Sequence, residues 1–253
     1  NVAVGVASLD DNTTGAGNVA VGMNSLGQNT TASGNTALGD EALAVNTTGT
    51  GLVAVGKDAL KSNTTANNNT AVGLDALTAN TTGDTNVAVG KDSMLANTTG
   101  TNNTAVGARS LQANTTAANN VAVGDLALGA NTTGTENTAV GTTAGDAITT
   151  GSNNTALGYD ALSTATTANA NTAIGSHTLQ DSTGASNTAV GWYALKENTT
   201  GIQNTAVGAG ALVNQTTANY SVAVGGGTLA AITTGDQNIA IGYAALNDTG
   251  TAV

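Results

Sequence analysis

The chain has 253 residues, with 34 Gly, no Pro, no Cys, no Phe and only 8% charged residues, against about 25% in an ordinary globular protein. Sixteen acidic against five basic side chains leave a net charge of −11, which argues against nucleic-acid partners, since neutralising phosphates needs a basic footprint. The absence of Cys excludes a disulfide framework or thiolate site, and no apolar run approaches the roughly 18 residues of a membrane span.

The chain divides into repeats from its first residue. Ten units of 17 residues run from Asn1 to Ala170, followed by one of 16 (Asn171–Ser186), three of 17 (Asn187–Gln237) and one of 16 (Asn238–Val253). Fixed short periods signal stacked repeat architectures. Residues 1–253 therefore read as a single array, with nothing left for a linker or a second domain. The start at Asn1, without Met and at the head of a repeat, suggests a processed chain or a window cut from a longer one.

Aligned, the unit reads N-(T/V)-A-V-G-x-x-(A/S)-L-x-x-N-T-T-(G/A)-x-x, and its seventeen positions serve as columns. Columns 2–4 are β-prone, with Ala in column 3 of all fifteen rows, as in Ala3 and Ala20. Column 5 is always Gly, from Gly5 to Gly242, and marks a corner that needs positive φ. Columns 8 and 9 are a small residue followed by Leu in thirteen rows, including Leu9, Leu26 and Leu111. Columns 12–14, typically Asn-Thr-Thr, form a second β-prone segment. All 21 charged residues fall in columns 6, 7, 10, 11, 16 or 17. Ionised side chains are rarely buried without partners, so these columns are the exposed corners.

Short β-prone segments between Gly-marked corners predict an all-β fold, a parallel β-solenoid or β-roll of about fifteen coils with two to three short strands per coil. At roughly 4.8 Å per coil the rod would be about 72 Å long. A helical solenoid fails, because Gly in column 5 and paired Thr would weaken a helix in every turn. The expected core is a leucine ladder from column 9 and an aliphatic ladder from columns 2 or 4. Each fully buried Leu contributes about 1.5–3 kcal/mol.

Asn supplies a further ladder, in column 1 and in column 12 at Asn12, Asn29 and Asn114. Stacked amides bond to the rung above and below. The rival reading is N-glycosylation, since Asn12, Asn46 and Asn80 each head an N-x-[ST] acceptor pattern. Ile148, Ala165 and Ile232 in column 12 favour a packed position.

Toward the end the pattern breaks. Gly145 replaces the column-9 Leu, Ile148 and Ala165 replace Asn, and one residue is lost near Asp181, so residues 141–184 read as an irregular seam: a twist change, bulge or bend. Aromatic residues begin here, with Tyr159, Trp192, Tyr193, Tyr220 and Tyr243, together with the sole His, His177. All lie at corner columns. Tyr159, Trp192, Tyr193 and Tyr243 are candidate contacts for a glycan or partner, with tolerated surface substitution as the plainer reading.

No triad, nucleotide loop or cofactor motif is present, so neither an enzyme nor a cofactor is expected. Two ligand readings have sequence support. Asp10-Asp11 and Asp40-Glu41 offer oxygen ligands to Ca²⁺, though the calcium-binding nonapeptide is missing. Thr columns 13 and 14 suggest an ice-matching face, though neighbouring strand residues point opposite ways.

The unit NTAVGxxALxxNTTGxx, as in Asn69–Thr85, Asn103–Asn119 and Asn187–Gln203, resembles a repeat of long bacterial surface proteins and phage tail-fibre-like proteins. Its NTAVG and NVAVG cores (Asn86–Gly90) also look like the head repeat of trimeric autotransporter adhesins, which fold as parallel β-rolls. The resemblance implies an extracellular, cell-surface or virion fibre or adhesin segment and names no receptor; a cell-surface glycan as partner rests on the corner rings, and self-association into a homo-oligomer, trimer or filament on the strand face and the terminal repeats. The sequence itself adds two expectations. An uncharged strand face predicts lateral association. Terminal repeats without polar caps predict an object longer than this chain.

Overall fold

The structure, a computed structural model, describes residues 1–247; the end of the last repeat, 248–253, with its part in the expected uncapped end, lies outside the described residues. The fold is an all-β parallel solenoid whose strands are three residues long. Two compact units divide it, Asn1–Leu126 and Ala127–Val253. The first holds eight strands, from β1 (Val2–Val4) to β8 (Val121–Val123). The second holds seven among the described residues, from β9 (Thr138–Val140) to β15 (Ile239–Ile241).

Within each unit, successive strands pair in parallel with each column opposite its own copy: Ala3 faces Ala20 and Ala156 faces Ala173. Among the described residues only columns 2–4 form a strand, which corrects the expected two or three per coil. The cause lies in the backbone. Columns 7, 9 and 17 all take positive φ, as in Asp58 (57°), Leu60 (50°) and Asn68 (58°), and residues alternating through the left-handed region cannot extend. Coils are still tied there by backbone bonds, such as Leu9 N to Ser25 O at 3.0 Å and Thr13 N to Thr30 O at 2.9 Å. A left-handed Leu costs about 1–2 kcal/mol. Complete burial, as for Leu26 and Leu111, returns about 1.5–3 kcal/mol and outweighs it.

The second correction concerns the core. Column 3 points inward, with Ala20, Ala54 and Ala88 fully buried, while columns 2 and 4 face out. The expected aliphatic ladder from columns 2 or 4 is therefore on the surface. Strand alternation explains this: columns 1 and 3 share a face, and the column-1 amide must reach in to a carbonyl across the coil. Leu26 and Leu111 are buried, whereas Leu9, in the first coil, is only partly covered.

Column 5 requires Gly on two grounds. Gly90 has φ +134°, and a Cβ there would stand 2.5 Å from the Gly107 carbonyl oxygen in the next coil. No rotamer relieves a clash with backbone.

The expected seam at 141–184 leaves the strand ladder intact. Register continues from β11 (Thr172–Ile174) to β12 (Thr188–Val190), with Thr172 opposite Thr188. Thr183 N still donates to Thr199 O at 2.7 Å, so the missing residue is the exposed column-14 Thr. Gly145 and Ile148 form a compensated pair. A Cβ on Gly145 would lie 3.1 Å from Ile148 Cδ1, so Ile148, 1% exposed, occupies space that a column-9 side chain fills elsewhere.

Candidate functional site

Most polar side chains of the interior are committed to holding the coil. In column 1, each Asn Oδ1 accepts the backbone N–H of the next rung: Asn35 N reaches Asn18 Oδ1 at 2.9 Å, and Asn204 N reaches Asn187 Oδ1 at 2.9 Å. Its Nδ2 donates across the coil to the column-15 carbonyl. In column 12, from Asn29 to Asn114, each Nδ2 donates to the preceding rung and to that same carbonyl. Gly83 O thus accepts Asn69 Nδ2 at 2.7 Å and Asn80 Nδ2 at 3.0 Å. One carbonyl, using both lone pairs, joins the two ladders.

The ladder residues Asn12, Asn29 and Asn114 lie in the column-12 chain. Asn29 Nδ2 donates to Asn12 Oδ1 at 2.9 Å, and Asn114 Nδ2 to Asn97 Oδ1 at 2.7 Å. The glycosylation reading of Asn46 and Asn80 is corrected here, because both are completely buried and their amide nitrogens donate inward. Asn12 is partly exposed, but its Nδ2 donates to Gly15 O at 3.1 Å. The Thr columns are also occupied. Column-13 hydroxyls donate to the next coil, as Thr47 Oγ1 does to Thr64 O at 3.0 Å. Only column 14 remains as an outward Thr row, which removes the paired Thr grid that ice matching would use.

In the first unit the turn face carries charge. A cavity of about 390 Å³ is lined by residues including Asp10, Asp11, Asn24, Gln28, Glu41 and Lys61. The calcium reading fits it poorly. Lys61 forms ion pairs with Glu41 and with Asp58, the latter at 3.2 Å, and Lys57 lies 3.6 Å from Asp40. Hydrogen bonding to Glu41, then to Asp58, holds the Lys61 ammonium above its ordinary pKa. Among the described residues no three acidic or imidazole groups converge on one point.

In the second unit the same corner carries rings. Tyr159 (column 6), His177 (column 7), Trp192 (column 6) and Tyr193 (column 7) come from three successive coils. The His177 ring lies between Tyr159, at 5.2 Å between centroids, and Tyr193, at 5.0 Å. Trp192 leans on Tyr193 at 4.2 Å, and Lys196 Nζ stands 5.6 Å from the Tyr193 centroid. Positive φ at His177 (56°) and Tyr193 (57°) aims these column-7 rings along the corner.

Polar groups border the rings. Ser176 Oγ lies 2.8 Å from His177 Nδ1, and an Asp160 oxygen lies 3.8 Å from Nε2. The Thr143 hydroxyl donates to the other Asp160 oxygen. Burial, then the Asp160 charge, pushes the Asp146 carboxyl above its ordinary pKa, and its Oδ1 is buried without a partner. Of the four aromatic candidates, Tyr159, Trp192 and Tyr193 are thus brought together by way of His177. Tyr243 stands apart in the last coil, 89% exposed. The columns placed these residues at a corner. Asp160 and Lys196 carried no separate signal, because charge at a corner column looks the same whether or not a ring lies beside it.

No protein family, curated protein or solved structure matches the chain.

Proposed function

We propose that the chain is a non-enzymatic structural segment of an extracellular or cell-surface fibre or adhesin, and that it associates laterally with copies of itself. The observation that carries this reading is the outward face of the strand ladder. Columns 2 and 4 hold only Val, Thr, Leu and Ile in every repeat. Their apolar members are substantially exposed in both units, with Val21, Leu38, Val106 and Val207 each at 37% and Leu157 at 43%. A long stripe without charge is a contact surface rather than a solvated one. A three-fold bundle and a two-sided sheet of copies are both compatible with it. The resemblance of the NTAVG unit to surface and tail-fibre repeats supports the extracellular setting.

Sedimentation velocity tests the association. The chain is expected to sediment as a multimer at tens of micromolar, and Val106→Lys with Val207→Lys, one charge per unit on the strand face, should return it to monomer. A wild-type chain that stays monomeric at that concentration overturns the reading.

A further inference from the structure

We infer that the corner formed by Tyr159, Ser176, His177, Trp192 and Tyr193 is a binding site for a neutral oligosaccharide. The fold does not need rings there. The same two columns hold Asp40, Glu41, Lys57, Asp58, Lys91 and Asp92 in the first unit, so any exposed side chain satisfies the coil. A run of aromatic residues over three coils, left open to water, requires another reason.

Geometry supplies it. Trp192 is 59% and Tyr159 52% exposed. They occupy column 6 two coil steps apart, roughly 10 Å along the stack, with the small Ser176 between them. Ser176 and His177 therefore lie between the two rings along the stack, with the His177 ring 5.2 Å from Tyr159 and 5.0 Å from Tyr193. The rings brace one another through His177 and Tyr193, so little side-chain freedom remains to be lost on binding. The border consists of hydroxyl, imidazole and carboxylate groups from Ser176, His177 and Asp160. Apolar walls with a few polar groups at the rim suit a pyranose, whose C–H face packs on a ring while its hydroxyls bond at the edge. A polyanion is disfavoured by the net charge of −11. A cationic ligand meets Lys196 already beside Tyr193.

Trp192 is the only tryptophan in the chain, so its fluorescence reports occupancy directly. Titration with cellotetraose, chitotetraose and mannotetraose should give a saturable emission change with at least one of them. By calorimetry with that sugar, Trp192→Ala and Tyr159→Ala should each weaken binding by about ten-fold, whereas Tyr220→Ala, at an exposed corner elsewhere, should leave it unchanged. The proposal is overturned if none of the three sugars produces saturable binding at millimolar concentration. It is equally overturned if tetramethylammonium alone does so, or if Tyr220→Ala loses as much affinity as Trp192→Ala. Sedimentation reads the strand face and fluorescence the corner, so the failure of one proposal is distinguishable from the failure of the other.

Discussion

The two units use one coil to different ends. In the first, the column-12 amides form an unbroken chain from Asn12 to Asn114, and the corners carry charges paired across coils. In the second, column 12 keeps Asn131 and then runs through Ile148, Ala165, Ser182, Asn198, Gln215 and Ile232, and the corner carries rings. What both keep is the column-1 ladder, the inward Ala and the buried leucine. Strand pairing and leucine packing are therefore common requirements, while the second amide ladder is dispensable wherever an apolar side chain fills its place.

The largest test addresses the part the units share. Leu111→Asp in the first unit and Leu195→Asp in the second each put an unpaired carboxylate into the core and should cost several kcal/mol. Arg109→Ser, which removes an exposed pair with Asp125 at 2.9 Å, should cost less than about 0.5 kcal/mol. Thermal unfolding that separates the two leucine variants widely would show that the two units' leucine columns are not built alike.

The amide ladder should distinguish the units. Asn80→Ala removes a rung that donates to Asn63 Oδ1 at 3.2 Å and accepts from Asn97 Nδ2 at 2.8 Å, and should cost about 1–3 kcal/mol. Asn198→Ala loses a bond to Ser182 Oγ at 3.1 Å but also removes an Oδ1 that is buried and unpartnered, so its cost should be under about 1 kcal/mol. Denaturant midpoints in the reverse order would break the comparison.

The compensated pair offers a cycle. Gly145→Leu overpacks against Ile148 and Leu128, and Ile148→Asn alone leaves a void where the column-9 side chain is missing. Together they restore the consensus. The double variant should be more stable than the sum of the singles by about 1 kcal/mol or more, and additive effects would refute the pairing.

The smallest effect concerns Asp146. Its folded pKa lies above the ordinary value, so folding favours the protonated form. Its contribution is most favourable below the unfolded-state pKa and is lost as pH rises through the folded one. Asp146→Asn should therefore stabilise the chain near neutral pH, by no more than about 0.5 kcal/mol given its partial exposure. The gain should fade as the pH drops through the raised folded pKa and be gone below the ordinary Asp value of about 3.9. A gain that grows on acidification would reverse the assignment.

Much of this fold was legible because fifteen rows of one sequence display what each position tolerates. Charge confined to six columns located the corners, and Ile148 and Ile232 beside Asn29 and Asn46 showed that column 12 was packed. The strand count is not legible in the columns, because Asn-Thr-Thr has strand propensity but lies between left-handed residues. The candidate site was legible only as a set of columns. That Tyr159, His177 and Tyr193 touch depends on coils stacking in register and on column 7 taking positive φ, which no residue preference at His or Tyr would suggest.

The sequence by itself determined the period, the parallel all-β solenoid, the exposed corners, the glycine corner and the buried leucine and asparagine columns, since each follows from a chemistry repeated at fixed spacing. Only the tertiary structure decided which strand face is the core. Alternation permits two answers, Ala inward or Val and Thr inward, and local propensity does not separate them. The choice falls to Ala because the column-1 amide lies on its face and must reach the carbonyl that the column-12 amide also uses, a hydrogen bond that exists only once the coil has closed.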